Sequence, residues 1–225
     1  ITTYGVGTNI GILLSSASNN NTVNYNTISA GGSSGDNYGV YLSASITNNI
    51  TDNNITTNGT SANYGIYLLT DSNNTRINNN RISTNGSAGS NYGIYLYVSS
   101  RNNISNNTIF TEGTSDNHGI RLEWWAENNI FDYNNITTNG TLSYAIFINT
   151  SNLTQFNRTI LDNPAQWINI SDRTAVNFTN TTFLMPNGSI NIPRRIQING
   201  SIDITMSKLN ISSNDAFLNS TNLTA

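Results

Sequence analysis

The sequence predicts an all-β solenoid of about five to six coils, 26 to 28 residues each, followed by a C-terminal β cap or small β extension. Three observations predict it. There is a fixed internal period, an apolar–polar alternation inside each repeat, and asparagine and glycine at the same places in every copy.

The period shows on two rulers. The motif (Y/H)-G-(I/V)-x-L places its glycine at Gly39, Gly65, Gly93 and Gly119, with a degenerate start at Gly11 and an alanine version at Ala145. A stricter ruler holds 27 residues between Ile28, Ile55, Ile82, Ile109 and Ile136. Asn26, Asn53, Asn80, Asn107 and Asn134 keep that register. So do Gly32, Gly59, Gly86, Gly113 and Gly140, and Val23, Ile50, Ile77, Ile104 and Phe131.

Each copy lacks the i, i+3, i+4 spacing of a helix and holds short alternating runs broken by Asn, Ser, Gly and Thr. In "YGIYL" the alternation turns Ile66 and Leu68 to one face and Tyr67 to the other. The inward columns are then Ile12, Val40, Ile66, Ile94, Ile120, Ile146 and Leu14, Leu42, Leu68, Leu96, Leu122, Ile148. One unit supplies two or three strands, and successive coils stack about 4.8 Å apart.

Asparagine is read as structural. Nine places after the motif glycine come Asn20, Asn48, Asn74, Asn102 and Asn128, expected at a tight turn where each amide bonds backbone and its twin one coil away. Asparagine also tolerates the left-handed backbone of sharp corners. The glycine column is expected to mark another corner with φ > 0.

The phrase "SNNNTVNYNTISAG…NYGVYL" resembles the right-handed parallel β-helix repeats of the NosD-like and pectate-lyase-like superfamily. The Asn-rich, sequon-rich style resembles archaeal cell-surface β-helix proteins. The likeness covers residues 1–150 and implies a single-stranded right-handed parallel β-helix. It does not fix an activity, since that superfamily holds lyases, hydrolases, epimerases, adhesins and inert scaffolds.

Residues 1–150 are thus expected to form the β-helix, and 151–225 a C-terminal β cap or extension, where "NPAQWINISD" interrupts the ruler. A separate small β-domain is the alternative. The amino end opens inside a degraded coil with no obvious cap. Unpaired edges invite pairing, so either a longer chain or head-to-tail homo-assembly is expected there.

Asparagine accounts for 44 of 225 residues, only 9% are charged, and Lys208 is the sole lysine. A net charge of −3 argues against nucleic acid, which needs clustered Lys and Arg. Cysteine is absent, which excludes disulfides and thiolate metal sites. No apolar run approaches membrane-spanning length, and no signal peptide is visible. About twenty N-x-(S/T) triplets occur, among them the N-G-(S/T) turns at Asn58, Asn85, Asn139, Asn187 and Asn199. These are N-glycosylation candidates, and their turn positions, together with absent cysteine and sparse lysine, lead to the expectation of a chain outside the cell or at its surface.

The outward position of the "GIYL" strand reads Leu13, Tyr41, Tyr67, Tyr95, Arg121, Phe147. Beside it stand Leu69, Tyr97 and Glu123, then Trp124 and Trp125. Tyr41, Tyr67, Tyr95, Tyr97, Trp124 and Trp125 are the glycan-contact candidates, because aromatic faces stack on sugar C–H groups. The competing reading is neighbour packing within the sheet. A column preceding the glycine, Tyr38, Tyr64, Tyr92, His118, Tyr144, leans by parity toward the interior or a corner.

The fifth coil gathers Glu112, Asp116, His118, Arg121, Glu123, Glu127 and Asp132 in an otherwise almost uncharged chain. Glycoside hydrolases need two carboxylates at a defined separation. The resemblance implies lyases that use a basic residue with Ca²⁺ held by several acids. Arg121 and Glu123 are the weak catalytic candidates, but their neighbours one coil away supply no further acids. No metal and no cofactor are expected. The leading expectation is a non-catalytic extracellular structural or adhesive module whose partners are carbohydrate or neighbouring surface subunits. A carbohydrate-active enzyme with its site around Arg121, Glu123 and Trp124 is the alternative.

Overall fold

The computed structural model describes residues 1–163 except 61 and 88, then 166–171, 175–185, 188–199, 202–205 and 215–219. Every described element is a strand. The chain winds as a three-sided parallel β-helix, one short strand per side per coil.

The first face stacks β3 (Thr22–Asn24), β6 (Asn49–Thr51), β9 (Arg76–Asn78), β12 (Asn103–Ser105), β15 (Ile130–Asp132) and β18 (Thr154–Asn157). The second stacks β1 (Thr2–Val6), β4 (Thr27–Ser34), β7 (Asn54–Gly59), β10 (Arg81–Gly86), β13 (Thr108–Gly113), β16 (Asn135–Thr138) and β19 (Ile160–Asp162). The third stacks β2 (Asn9–Ser15), β5 (Asn37–Ser43), β8 (Asn63–Leu69), β11 (Asn91–Tyr97), β14 (His118–Glu123), β17 (Ile146–Asn149) and β20 (Gln166–Ser171).

Register follows the 27-residue ruler. Ile82 pairs with Ile55 on one side and Ile109 on the other, and Ile104 lies between Ile77 and Phe131. The expected inward columns are the core: Val40, Leu42, Ile66, Leu68, Ile94, Leu96, Ile120 and Leu122 are fully buried, with Ile12 and Leu14 half-buried at the first coil. The two rulers coexist because insertions compensate. Ile28 to Val40 spans 12 residues but Ile55 to Ile66 spans 11, while Leu42 to Ile50 spans 8 but Leu68 to Ile77 spans 9.

Parallel stacking runs on past residue 150. Phe156 pairs with Phe131, Leu161 with Ile136 and Ile168 with Ile146, at shorter spacings than 27. The long strand β21 (Ala175–Met185) then turns a corner at Asn180 and pairs with both β18 and β19. Phe131, Phe156 and Phe178 stack at 4.6 and 5.2 Å, and Trp167 packs on Phe183 while its Nε1 donates to the Leu184 carbonyl at 3.1 Å. Antiparallel pairing begins only here: β22 (Gly188–Asn199) on β21, and β23 (Ile202–Thr205) on β20. A last strand, β24 (Asp215–Asn219), runs parallel to β22.

Asparagine ladders hold the corners. Each rung of the Asn26, Asn53, Asn80, Asn107, Asn134 column donates Nδ2 to the Oδ1 of the next at 2.9–3.1 Å. The same Oδ1 also accepts the backbone N–H of the rung before, and Asn80 Nδ2 reaches the Ile50 carbonyl at 2.9 Å. Buried polar groups are thereby satisfied without water. A second ladder, Asn9, Asn37, Asn63, Asn91, Asn117, links amides at 2.7–3.0 Å.

The expected Asn20, Asn48, Asn74, Asn102, Asn128 column needs correction. The inward column is Asn21, Asn48, Thr75, Asn102, Asn129, and Asn20, Asn74 and Asn128 are the left-handed residues just before it. The glycine column is corrected too. Of its five members only Gly140 has a positive φ. The rest are glycine for space, since a Cβ on Gly86 would stand 2.2 Å from Asn63 Nδ2 and one on Gly59 2.3 Å from Asn37 Nδ2.

Candidate functional site

The third face carries the aromatics. Gly39, Gly65, Gly93 and Gly119 each follow an outward ring and precede an inward aliphatic residue, so two consecutive positions turn inward, as in a β-bulge. That local break reverses parity. Tyr38, Tyr64, Tyr92 and His118 therefore lie on the outer face, not toward the interior, beside Tyr41, Tyr67 and Tyr95.

The two columns interlock. Tyr64 stacks on Tyr92 at 4.9 Å and 8°, Tyr67 on Tyr95 at 4.8 Å and 5°, and Tyr64 meets Tyr95 edge-on at 5.4 Å. Ring faces run along the helix axis and cover one another, so edges and hydroxyls meet the outside. Burial raises the pKa of Tyr38, Tyr64, Tyr67, Tyr92 and Tyr95 and keeps these phenols protonated.

An ionic cluster ends the tyrosine stack. Arg121 lies between the Tyr92 and Phe147 rings, 4.7 Å from each centroid. Its Nη1 donates to the Tyr92 hydroxyl at 2.6 Å and its Nη2 to Glu123 Oε1 at 2.7 Å. Tyr95 donates to Glu123 Oε2 at 2.6 Å, and Tyr92 to Asp116 Oδ2 at 2.8 Å. Both oxygens of Glu123 are thus engaged, and the candidate pair Arg121 and Glu123 bind each other. Burial would lower the Arg121 pKa, yet Glu123 holds it above the ordinary value.

His118 is buried between the Tyr92 and Phe147 rings, near-parallel at 5.2 and 4.8 Å. Its Nδ1 accepts the Tyr144 N–H at 3.2 Å, which leaves the proton on Nε2, 2.9 Å from Asp116 Oδ1 and off the hydrogen-bond line. Burial pushes His118 below its usual pKa, although Asp116 pulls the other way. For Asp116, burial raises the pKa, but the His118 and Tyr92 contacts and the Arg121 charge outweigh it and bring it to about 2. No cluster of three or more His, Cys, Asp or Glu that would hold a metal occurs among the described residues.

Trp124 and Trp125 are different. They cap the turn after β14, 48% and 63% exposed, with rings 6.3 Å apart at 81°. Both have left-handed backbone, φ 52° and 63°. Tyr97 is half-buried beside them, 6.2 Å from Tyr95.

A family model described as "Right handed beta helix region" matches residues 11–183. The chain belongs to the right-handed β-helix family. Among curated proteins nothing matches it. The β-helix places its N-G-(S/T) asparagines unevenly: Asn58 and Asn85 are exposed neighbours on β7 and β10, and Asn139 is half-buried. Asn187 lies outside the described residues, and Asn199 ends β22 with its side chain outside them. No helix of this β-helix is long and apolar enough to cross a membrane among the described residues. Sequence reasoning missed the Asn9–Asn117 ladder, whose signal was the recurring Asn-Tyr-Gly triplet.

Proposed function

We propose that the chain is a non-catalytic extracellular β-helix module, structural or adhesive, which contacts glycan through Trp124 and Trp125. The observation that carries this reading is the tryptophan pair's position. On the other coils the place of Trp124 is taken by Ser16, Ala44, Thr70, Val98 and Thr150, all left-handed and none larger than valine. A left-handed L-residue costs roughly 1–2 kcal/mol, and two half-exposed indoles recover little of it by packing. Stability alone favours asparagine or glycine there, so the tryptophans are kept for contact.

Indole faces stack on sugar C–H groups, and polar neighbours suit sugar hydroxyls. The Ser100 hydroxyl donates to the Trp125 carbonyl, and Arg101 N–H to the Glu127 carbonyl, which lines these residues up on adjacent coils. The stacked tyrosines behind them form a stiff support. Low charge, absent cysteine and outward N-x-(S/T) triplets support an extracellular setting.

A glycan array with a reducing-sugar assay tests the reading on wild type, Trp124→Ala and Trp125→Ala. Binding that disappears in the variants, with no turnover, supports it. Sugar turnover that is lost in Glu123→Gln would sink it in favour of a carbohydrate-active site around Arg121, Glu123 and Trp124.

A further inference from the structure

The asparagines fall into two populations that do not mix. Among the described residues twelve are buried, and each is followed two places on by glycine, alanine, isoleucine or phenylalanine, so none opens an N-x-(S/T) triplet. Of the triplet asparagines whose burial is described, none is buried. Alternation explains the separation. Residues i and i+2 share a face, so an outward asparagine has an outward serine or threonine as its second neighbour, as in Asn54-Ile55-Thr56 and Asn135-Ile136-Thr137.

The faces also differ. On the third face β5, β8 and β11 carry the tyrosines, and neither they nor β2 and β14 contain a triplet asparagine, whereas β17 and β20 beyond them hold Asn149 and Asn169. The other two faces present Asn54, Asn58, Asn85, Asn103 and Asn135, all exposed and all on strands. Their side-chain amides make no hydrogen bond among the described residues, unlike the ladder amides. Beside Asn58, the 81% exposed Tyr4 lies over Gly31, and Tyr4, Asn58 and Thr60 line a surface depression of about 250 Å³. That aromatic wall suits a first sugar ring.

We infer that Asn54, Asn58, Asn85, Asn103 and Asn135 are acceptors for N-linked glycan, which coats two faces of the prism and leaves the tyrosine-bearing strands β5, β8 and β11 bare. The donor is a sugar carried as a lipid-linked diphosphate and delivered by a membrane-bound transferase. Asparagine Nδ2 forms a bond to the sugar C1 as the C1–O bond breaks. The diphosphate leaves with the electron pair, and the amide gives up one proton. The inference rests on the extracellular reading only in requiring that the chain meet this machinery.

The test is secretion of the chain from a eukaryotic host, with site-resolved glycopeptide mass spectrometry. Sugar is expected at these five positions. Each Asn→Gln change should remove one glycan mass, and in unglycosylated protein should move Tm by no more than about 1 °C. A folded secreted chain with none of the five modified overturns the inference. Sugar confined to triplets with engaged amides does so too, such as Asn73, whose Oδ1 accepts the Ser100 N–H at 2.6 Å, or Asn106, which donates to Asn78 at 3.1 Å. A large Tm loss in the unglycosylated Gln variants would also overturn it, by showing that the amides hold the fold. The glycan-array assay uses unglycosylated protein, so either result reads independently of the other.

Discussion

The Cγ2 methyl of Ile82 lies 2.2 Å from where a Cβ on Gly65 would stand, and the Gly93 carbonyl lies 2.6 Å from it. The same contact recurs between Gly39 and Ile55, Gly93 and Ile109, and Gly119 and Ile136. The repeat's two rulers are therefore one device, the glycine of the third face making room for the isoleucine of the second. Gly65→Ala should cost about 1–3 kcal/mol by overpacking. Urea unfolding measures it, and an unchanged midpoint would show that the coil is looser than described.

Asn80 accepts from Asn53 and donates to Asn107 and to the Ile50 carbonyl. Asn80→Ala strands a buried N–H and a carbonyl together, with an expected loss of about 1–3 kcal/mol. A melt showing no loss would place the ladder in water.

Thr75 interrupts the Asn21–Asn129 ladder, and its own hydroxyl and the Asn102 Nδ2 are both left without a hydrogen-bond partner. Thr75→Asn should restore the rung and raise stability by about 1 kcal/mol. A lower midpoint in the same urea titration would mean that the corner there has a different width.

Stability should fall with acid in two steps. His118 has a depressed folded pKa, so below about 6.5 the unfolded chain binds a proton that the native chain refuses. Asp116 has a folded pKa of about 2 against 3.8, so its contribution is present above about 3.8 and is lost as pH falls through 2. His118→Phe keeps a ring between Tyr92 and Phe147 and should flatten the first step. Thermal melts from pH 7.5 to 4.5 with the same slope in both proteins would contradict this.

Trp124→Gly should leave Tm unchanged or raise it, with a gain of up to about 1 kcal/mol from relief of the left-handed backbone, while abolishing glycan binding. Calorimetry reads the first effect and the array the second. A marked loss of stability would show that the indole is packed, not presented.

The fold was legible because burial, register and ladder bonding all act every 27 residues, so Ile55 and Ile82 announce themselves as neighbours. The misreadings have local causes. Counting nine places from the glycine gives Asn20, Asn74 and Asn128, but alternate turns hold one extra left-handed residue, such as Ala17, Asp71 and Trp125, which shifts the ladder by one. Strict alternation turns Tyr38 and Tyr64 inward, but the inward pair Gly39–Val40 breaks it. Spacing alone marks Gly86 as a corner, because it does not distinguish a positive φ from a close approach to Asn63. The charges of the fifth coil stand out in the sequence, and the i, i+2 spacing of Arg121 and Glu123 on one strand face allows their pairing. The hydroxyls that complete the cluster, from Tyr92 and Tyr95, come from the coil before and are not visible in that spacing.

Residues 27 apart are vertical neighbours, and engineered disulfides test that stacking most directly. Thr56 and Ser83 are paired across β7 and β10, and no native cysteine competes. Thr56→Cys with Ser83→Cys should oxidise to an intramolecular disulfide in the folded protein, whereas Thr56→Cys with Arg81→Cys, two residues out of register, should not. A bond that forms only in the second pair, or in neither, would contradict the stacking of successive coils.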